Sequence, residues 1–196
     1  MTLNFLTVES LINKLDDNDL SIPEIINVFY KRINERNNEI NAVISKIPYR
    51  KLQKEILLSE KRRLENKRHS PLDGFPIAIK DLEETQGILT TLGSKIFQKN
   101  IPKIDSPMVS NLKKSGCLIL GKTNVPEFGI GSQTYNEIFG STKNPFDIEL
   151  TSGGSSGGGA AAVSTGMIPF ADGSDMMGSL RNPASFCSVF GFRPTP

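Results

Sequence analysis

TSGGSSGGGAAAVSTGMIPFADGSDMMGSLR, residues Thr151 to Arg181, is the stretch on which the reading of the whole chain turns. It contains two serine-bearing glycine loops, Gly153 to Gly159 and Gly173 to Ser179. Between them lie a small-residue run, Ala160 to Thr165, and an apolar, strand-like run, Met167 to Ala171. Glycine on both sides of a serine removes Cβ atoms, so a backbone or substrate atom can approach closely. Flexible linkers share this composition. A linker, however, gives no reason for the alanine run and the apolar run that follow. The stretch is therefore read as a functional loop pair.

Upstream, Pro76-Ile77-Ala78-Ile79 has the look of a short buried strand, and Lys80 closes it. A lysine at the end of an apolar run usually snorkels to water. One kept inside loses hydration of its charge, its pKa falls, and the neutral amine can act as a base near neutral pH. The residues alone leave both readings open. Next, Asp105 or Ser106 caps a helix through Met108, Val109 and Leu112 that ends at Gly116, and Cys117 to Leu120 is a buried strand. Gly116 to Thr123 matches the phosphate-loop pattern G-x₄-G-K-[ST] letter for letter. A phosphate loop needs its four middle residues as a turn before a helix. Here they are the strand, and Asn124-Val125-Pro126 follows, so nucleotide binding is set aside. Phe128 to Pro145 is a Gly/Ser/Asn/Thr-rich loop region, either lining a pocket or simply connecting elements.

The N-terminal third is structural. Val8, Leu11, Ile12 and Leu15 recur at helical spacing. Ser21-Ile22-Pro23-Glu24 is a capping box with proline in the first turn, followed by a helix with Ile22, Ile25, Ile26, Phe29 and Ile33 on one face. A more polar helix covers about residues 50–66. In bulk, 196 residues with 37% hydrophobic and 22% charged residues describe one ordinary globular domain over 1–196. Net charge +2 gives no electrostatic reason to expect nucleic acid. The basic stretch Lys61 to His69 is interleaved with Glu65 and reads as a solvated helix face. Cys117 and Cys187 form neither a disulfide framework nor a metal spacing. Neither a signal peptide nor a ~20-residue apolar span is visible, so a cytoplasmic protein without a membrane partner is expected.

The motifs, taken together and in order, resemble the amidase signature family. Gly153 to Gly158 matches its GGSSGG. Gly178-Ser179-Leu180-Arg181 with Pro183-Ala184-Ser185-Phe186-Cys187 matches its GS-[IL]-R-x-PA-x-FC, and Gly191 to Thr195 its GLKPT. Gly74 to Asp81 resembles the strand that carries the family's lysine. Gly121-Lys122-Thr123-Asn124, Glu127-Phe128, Phe139-Gly140 and Asn144-Pro145 extend the likeness, which runs from about Leu6 to Pro196.

This resemblance implies an α/β fold with a mixed central sheet surrounded by helices. It also implies amide hydrolysis through a Ser–Ser–Lys triad, without metal or organic cofactor. Ser179 is then the nucleophile, Ser155 the relay on a cis peptide bond, and Lys80 the base. Backbone N–H groups of Met176, Met177, Gly178 and Ser179 would form the oxyanion hole, and Ser156, Asp175 and Arg181 would support it. The substrate is expected to be a small-molecule amide. Partners are a homo-oligomer or amidotransferase subunits, because a glutaminase subunit of a tRNA-dependent amidotransferase is the alternative within the family. A non-catalytic scaffold that kept the loops is the rival from outside enzymology. Gly154 to Gly158 also fits the nucleophile elbow G-x-S-x-G; that mechanism needs a histidine after the serine, and since His69 precedes it, the histidine would have to lie in a longer C-terminal part.

The chain departs from the family pattern at five places: Met176-Met177 for threonine-glycine, Gly159 for serine, Asp172 for an apolar residue, and Ser188 for glycine. Methionine at 177 limits positive φ and adds bulk near the oxyanion. Because family members continue well past GLKPT, the sequence is expected to be the N-terminal part of a longer domain. Expressed alone, it is expected to expose apolar surface and to hydrolyse amides poorly.

Overall fold

The computed structural model describes residues 2–195. Thr7 Oγ1 accepts the Ser10 N–H and opens helix α1 (Val8–Asp16). The capping box of Ser21 and Glu24 closes in both directions and opens α2 (Ile22–Ile40). Each bond satisfies a donor that the first helical turn would otherwise leave orphaned. Ile22, Ile25, Ile26, Phe29 and Ile33 are buried on one face of α2, as their spacing requires. Left-handed Asn41 ends the helix. There follow β1 (Val43–Ile44), α3 (Tyr49–Leu64), β2 (Pro76–Lys80) and α4 (Pro107–Lys114), the last capped by Ser106 Oγ.

The sheet is completed by β3 (Leu118–Thr123), in the order β1-β3-β2. β2 runs parallel to β3, through a crossover that contains α4, and β1 runs antiparallel to it. The sheet is thus mixed, with helices on both faces. Leu118 and Leu120 join the core under α2, while Ile77, Ile79 and Ile119 pack with Val109 of α4. β3 runs further than the apolar run alone suggests, through Gly121, Lys122 and Thr123. A Cβ at Gly121 would press on the backbone of Lys46, Ile44 and Ser45 at 3.0–3.2 Å, so only glycine lets the strand pass there. The middle of the phosphate-loop match is therefore buried strand.

The apolar run Met167 to Ala171 forms no regular strand. Met167 and Ile168 are buried, and Ala171 makes a single parallel bridge to Ala78 of β2. Pro169 has no N–H to contribute to a ladder. That one bridge lays the second glycine loop beside the Lys80 end of β2. The 128–145 loop holds a short hairpin, β4 (Tyr135–Asn136) with β5 (Gly140–Ser141). It is pinned where Asn136 Nδ2 donates to Asn124 Oδ1 at 2.7 Å and to the Val125 carbonyl at 2.8 Å. Two short helices follow, α5 (Gly157–Ser164) and α6 (Arg181–Phe186). Past α6, Phe190 and Phe192 are 90% and 69% exposed. No helix among the described residues is long and apolar enough to cross a membrane.

Candidate active site

Two glycines seat the first loop. A Cβ on Gly158 would lie 2.3 Å from Asn124 N, and one on Gly157 would lie 2.4 Å from Thr134 Oγ1. With no side chain at either position, the start of α5 abuts the exit of β3. The residues just before it, Ser155 and Ser156, are thereby held at the end of β2. The Gly154–Ser155 peptide is cis, at the place where the family resemblance puts it.

Lys80 lies at the centre, 1% exposed. Its Nζ donates to Ser155 Oγ, Ser156 Oγ and Ser174 Oγ, each at 2.8 Å. Three hydroxyls match the three N–H groups of an ammonium, and no carboxylate touches it directly. Burial pushes the Lys80 pKa down to about 8, against the opposing pull of Asp172, Asp175 and Glu83. Ser174 is the residue that sequence reasoning did not single out. Its only signal was a hydroxyl in the second glycine loop, where Ser179 fits the motif and Ser174 does not.

Ser179 joins through its main chain, its carbonyl accepting the Ser156 N–H at 2.9 Å. The Ser179 hydroxyl is part-buried and makes no hydrogen bond among the described residues. Asp175 shapes the loop that presents it. Its carboxylate holds Arg181 in a two-pronged pair at 2.8 and 3.0 Å, and accepts N–H groups from Gly178 at 2.7 Å and Arg181 at 3.1 Å. Charge-assisted bonds of this kind are the strong ones, and they hold the Asp175 carboxyl well below the usual carboxylate range, the Arg181 side chain most of all. Asp175 and Arg181 thus brace the turn.

Of the four N–H groups expected to face an oxyanion, that of Gly178 is already committed to Asp175. Those of Met176, Met177 and Ser179 find no acceptor among the described residues. Positive φ falls on Gly178, at 102°, and not on Met177. The methionine is therefore accommodated without backbone strain, with its side chain 84% exposed. Among the described residues no cluster of His, Cys, Asp or Glu is placed to hold a metal.

The amidase family model matches residues 24–196. The chain belongs to the amidase family. A glutamyl-tRNA(Gln) amidotransferase subunit of Natranaerobius thermophilus is 40% identical over 200 residues, covering 100% of this chain and 40% of that relative. A bacterial aryl acylamidase of the amidase signature enzymes superposes with a TM-score of 0.89 at 30% identity, covering 97% of this chain and 39% of that one. The corresponding amidotransferase subunit of Thermotoga maritima gives 0.82 at 34% identity, covering 100% and 39%. The chain thus spans about two-fifths of the length of the amidase relatives it matches.

Proposed function

We propose that this chain supplies the catalytic centre of an amide hydrolase working through an acyl-enzyme on Ser179. The observation that carries the reading is the buried Lys80 Nζ, 2.8 Å from Ser155 Oγ and depressed to about 8. Near neutral pH a useful fraction of such a lysine is the free amine. That amine keeps N–H groups for Ser156 and Ser174 and has one lone pair left for the Ser155 proton.

A serine hydroxyl is a poor nucleophile until a neighbouring base takes its proton. Ser179 Oγ attacks the amide carbon and passes its proton to Ser155 Oγ, which passes its own to Lys80 Nζ. The negative charge on the former carbonyl oxygen meets the uncommitted N–H groups of Met176, Met177 and Ser179. Collapse breaks the C–N bond, and Lys80 returns its proton through Ser155 to the departing amine. Water then takes the place of the amine, and the same groups carry it through hydrolysis of the ester. Ser156, Ser174, Asp175 and Arg181 hold these groups in place. The chain itself supplies every proton carrier, so the scheme calls for no cofactor.

A narrower reading is favoured by the amidotransferase relatives. The amide is then glutamine, and the released ammonia passes to a partner protein. Hydroxylamine separates the possibilities. Hydroxamate from simple amides, lost in Ser179→Ala, supports the general hydrolase. Activity confined to glutamine and dependent on added partner proteins supports the narrower one. No acyl transfer from any amide contradicts both and leaves the scaffold.

A further inference from the structure

Two of the departures from the family pattern meet in space. A Cβ on Gly159 would stand 3.3 Å from the Asp172 carbonyl and 3.3 Å from Ala171 Cβ. A serine there would need the 171–172 segment to give by a few tenths of an ångström. With glycine, the segment lies close against β2, Ala171 bridging Ala78. One residue on, Asp172 Oδ1 accepts the Lys80 backbone N–H at 2.8 Å. That N–H belongs to the outer edge of β2, since β3 occupies the other side. We propose that Asp172 is a positioning residue for Lys80: its carboxylate fixes the end of β2 from the side opposite Thr123, and it lends Lys80 a counter-charge that the three hydroxyls around Nζ do not carry.

The charged groups around it are few. Lys80 sits at the end of β2, Glu83 in the turn beyond it, Lys122 on β3, and Asp175 on the loop that follows Asp172. Of these, Asp172 exerts the largest opposing charge effect on Lys80, ahead of Asp175 and Glu83. Part of the residue's surface stays open to a cavity of about 460 Å³ that it lines with Phe170, Leu180 and Phe192. Even so, burial raises the carboxyl to about 6, with the Lys80 N–H, Lys122 and Lys80 pulling the other way and Glu83 adding to the rise. Above that pH the carboxylate is ionised and favours the charged form of Lys80. Its removal then makes Lys80 release its proton more readily.

The catalytic consequence rests on the role proposed for Lys80, but the interaction is read without turnover. In the full chain, labelled with carbon-13 at lysine Cε, the Lys80 resonance is followed against pH and assigned by its loss in Lys80→Arg. Asp172→Asn is expected to lower the Lys80 midpoint by about one unit or more, the size usual for an opposite charge close by. Asp172→Glu should restore part of the shift. A midpoint unchanged in Asp172→Asn would overturn the proposal. Should that variant not fold, the native protein decides, because its Lys80 resonance must show a second inflection near 6 as Asp172 takes up a proton. A single smooth titration would contradict the inference. A shifted Lys80 in a protein that acylates nothing would overturn the proposed function and leave this inference standing.

Discussion

Lys80 and Lys122 are buried lysines on adjacent parallel strands, and both are pushed down to about 8 by burial. Their registers differ by one step, Ile79 facing Lys122 and Lys80 facing Thr123. Because side chains alternate along a strand, the two lysines emerge on opposite faces of the sheet. Lys80 meets only hydroxyls. Lys122 donates to the Glu83 carbonyl and, at 2.8 Å, to Thr85 Oγ1, with Asp81 exerting the largest opposing charge effect on it. A depressed pKa therefore does not by itself mark a base. What matters is whether the amine faces a hydroxyl that must lose a proton or a carbonyl and a carboxylate that need a cation.

The sharpest way to break this contrast is to remove each amine. Lys80→Met should cut acylation by ~10²–10⁴-fold, the usual range for a lost proton acceptor, with a melting temperature close to the parent's. Kinetics and calorimetry on the same preparation would check both halves. Lys122→Met should do the reverse. It takes from Asp81, whose buried Oδ1 already lacks a hydrogen-bond partner, the cation that favours its charged form. Losing that favourable charge and the two Nζ hydrogen bonds is expected to lower stability, readable as a lower denaturant midpoint with the rate per folded molecule retained. Equal losses of rate and stability in both variants would erase the distinction.

A smaller effect sharpens the picture around Lys80. Ser174→Ala removes one of the three hydroxyls. A hydrogen bond to a charged group is worth ~1.5–3 kcal/mol, so the acylation rate should fall about tenfold to a hundredfold. A rate equal to the parent's would show that Ser174 is only a neighbour.

The family was legible because its motifs are short and local. Lys80, Ser155 and Ser179 sit in runs whose glycines and prolines announce themselves, and the capping box of Ser21 with Glu24 is local by nature. What escaped was assembled across distance. Ser174 matters through a lysine on another strand, and Asp172 through a backbone N–H of that same lysine. A one-dimensional pattern flags Asp172 as unusual yet cannot say what it touches. The strand-like run through Met167 misled because apolar periodicity does not register that Pro169 cannot feed a ladder. β3 outran its apolar stretch because Gly121 and buried Lys122 look like turn and surface residues until their neighbours are known.

A further readout is stability against pH. For each lysine the folded pKa of about 8 lies below the ordinary 10.5. Between those values the unfolded chain binds more protons, so these two groups make stability rise with pH across that window and contribute no slope below it. Asp172, raised from 3.8 to about 6, acts in the opposite sense, its contribution falling as pH climbs between those values. Urea midpoints from pH 7 to 10 should show the alkaline rise, reduced in Lys80→Met and in Lys122→Met alike. A rise untouched by either substitution would put its origin elsewhere.

The central claim is that Ser179 is the hydroxyl activated through Ser155 by Lys80. A fluorophosphonate probe tests it most directly, with the adduct located by peptide mapping and its rate of formation followed against pH. The expected result is a single adduct on Ser179, formed at a rate that climbs toward a plateau with a midpoint near 8, and lost in Lys80→Met. An adduct on Ser155 or Ser156, or a Ser179 adduct whose rate ignores both pH and Lys80, would contradict the account.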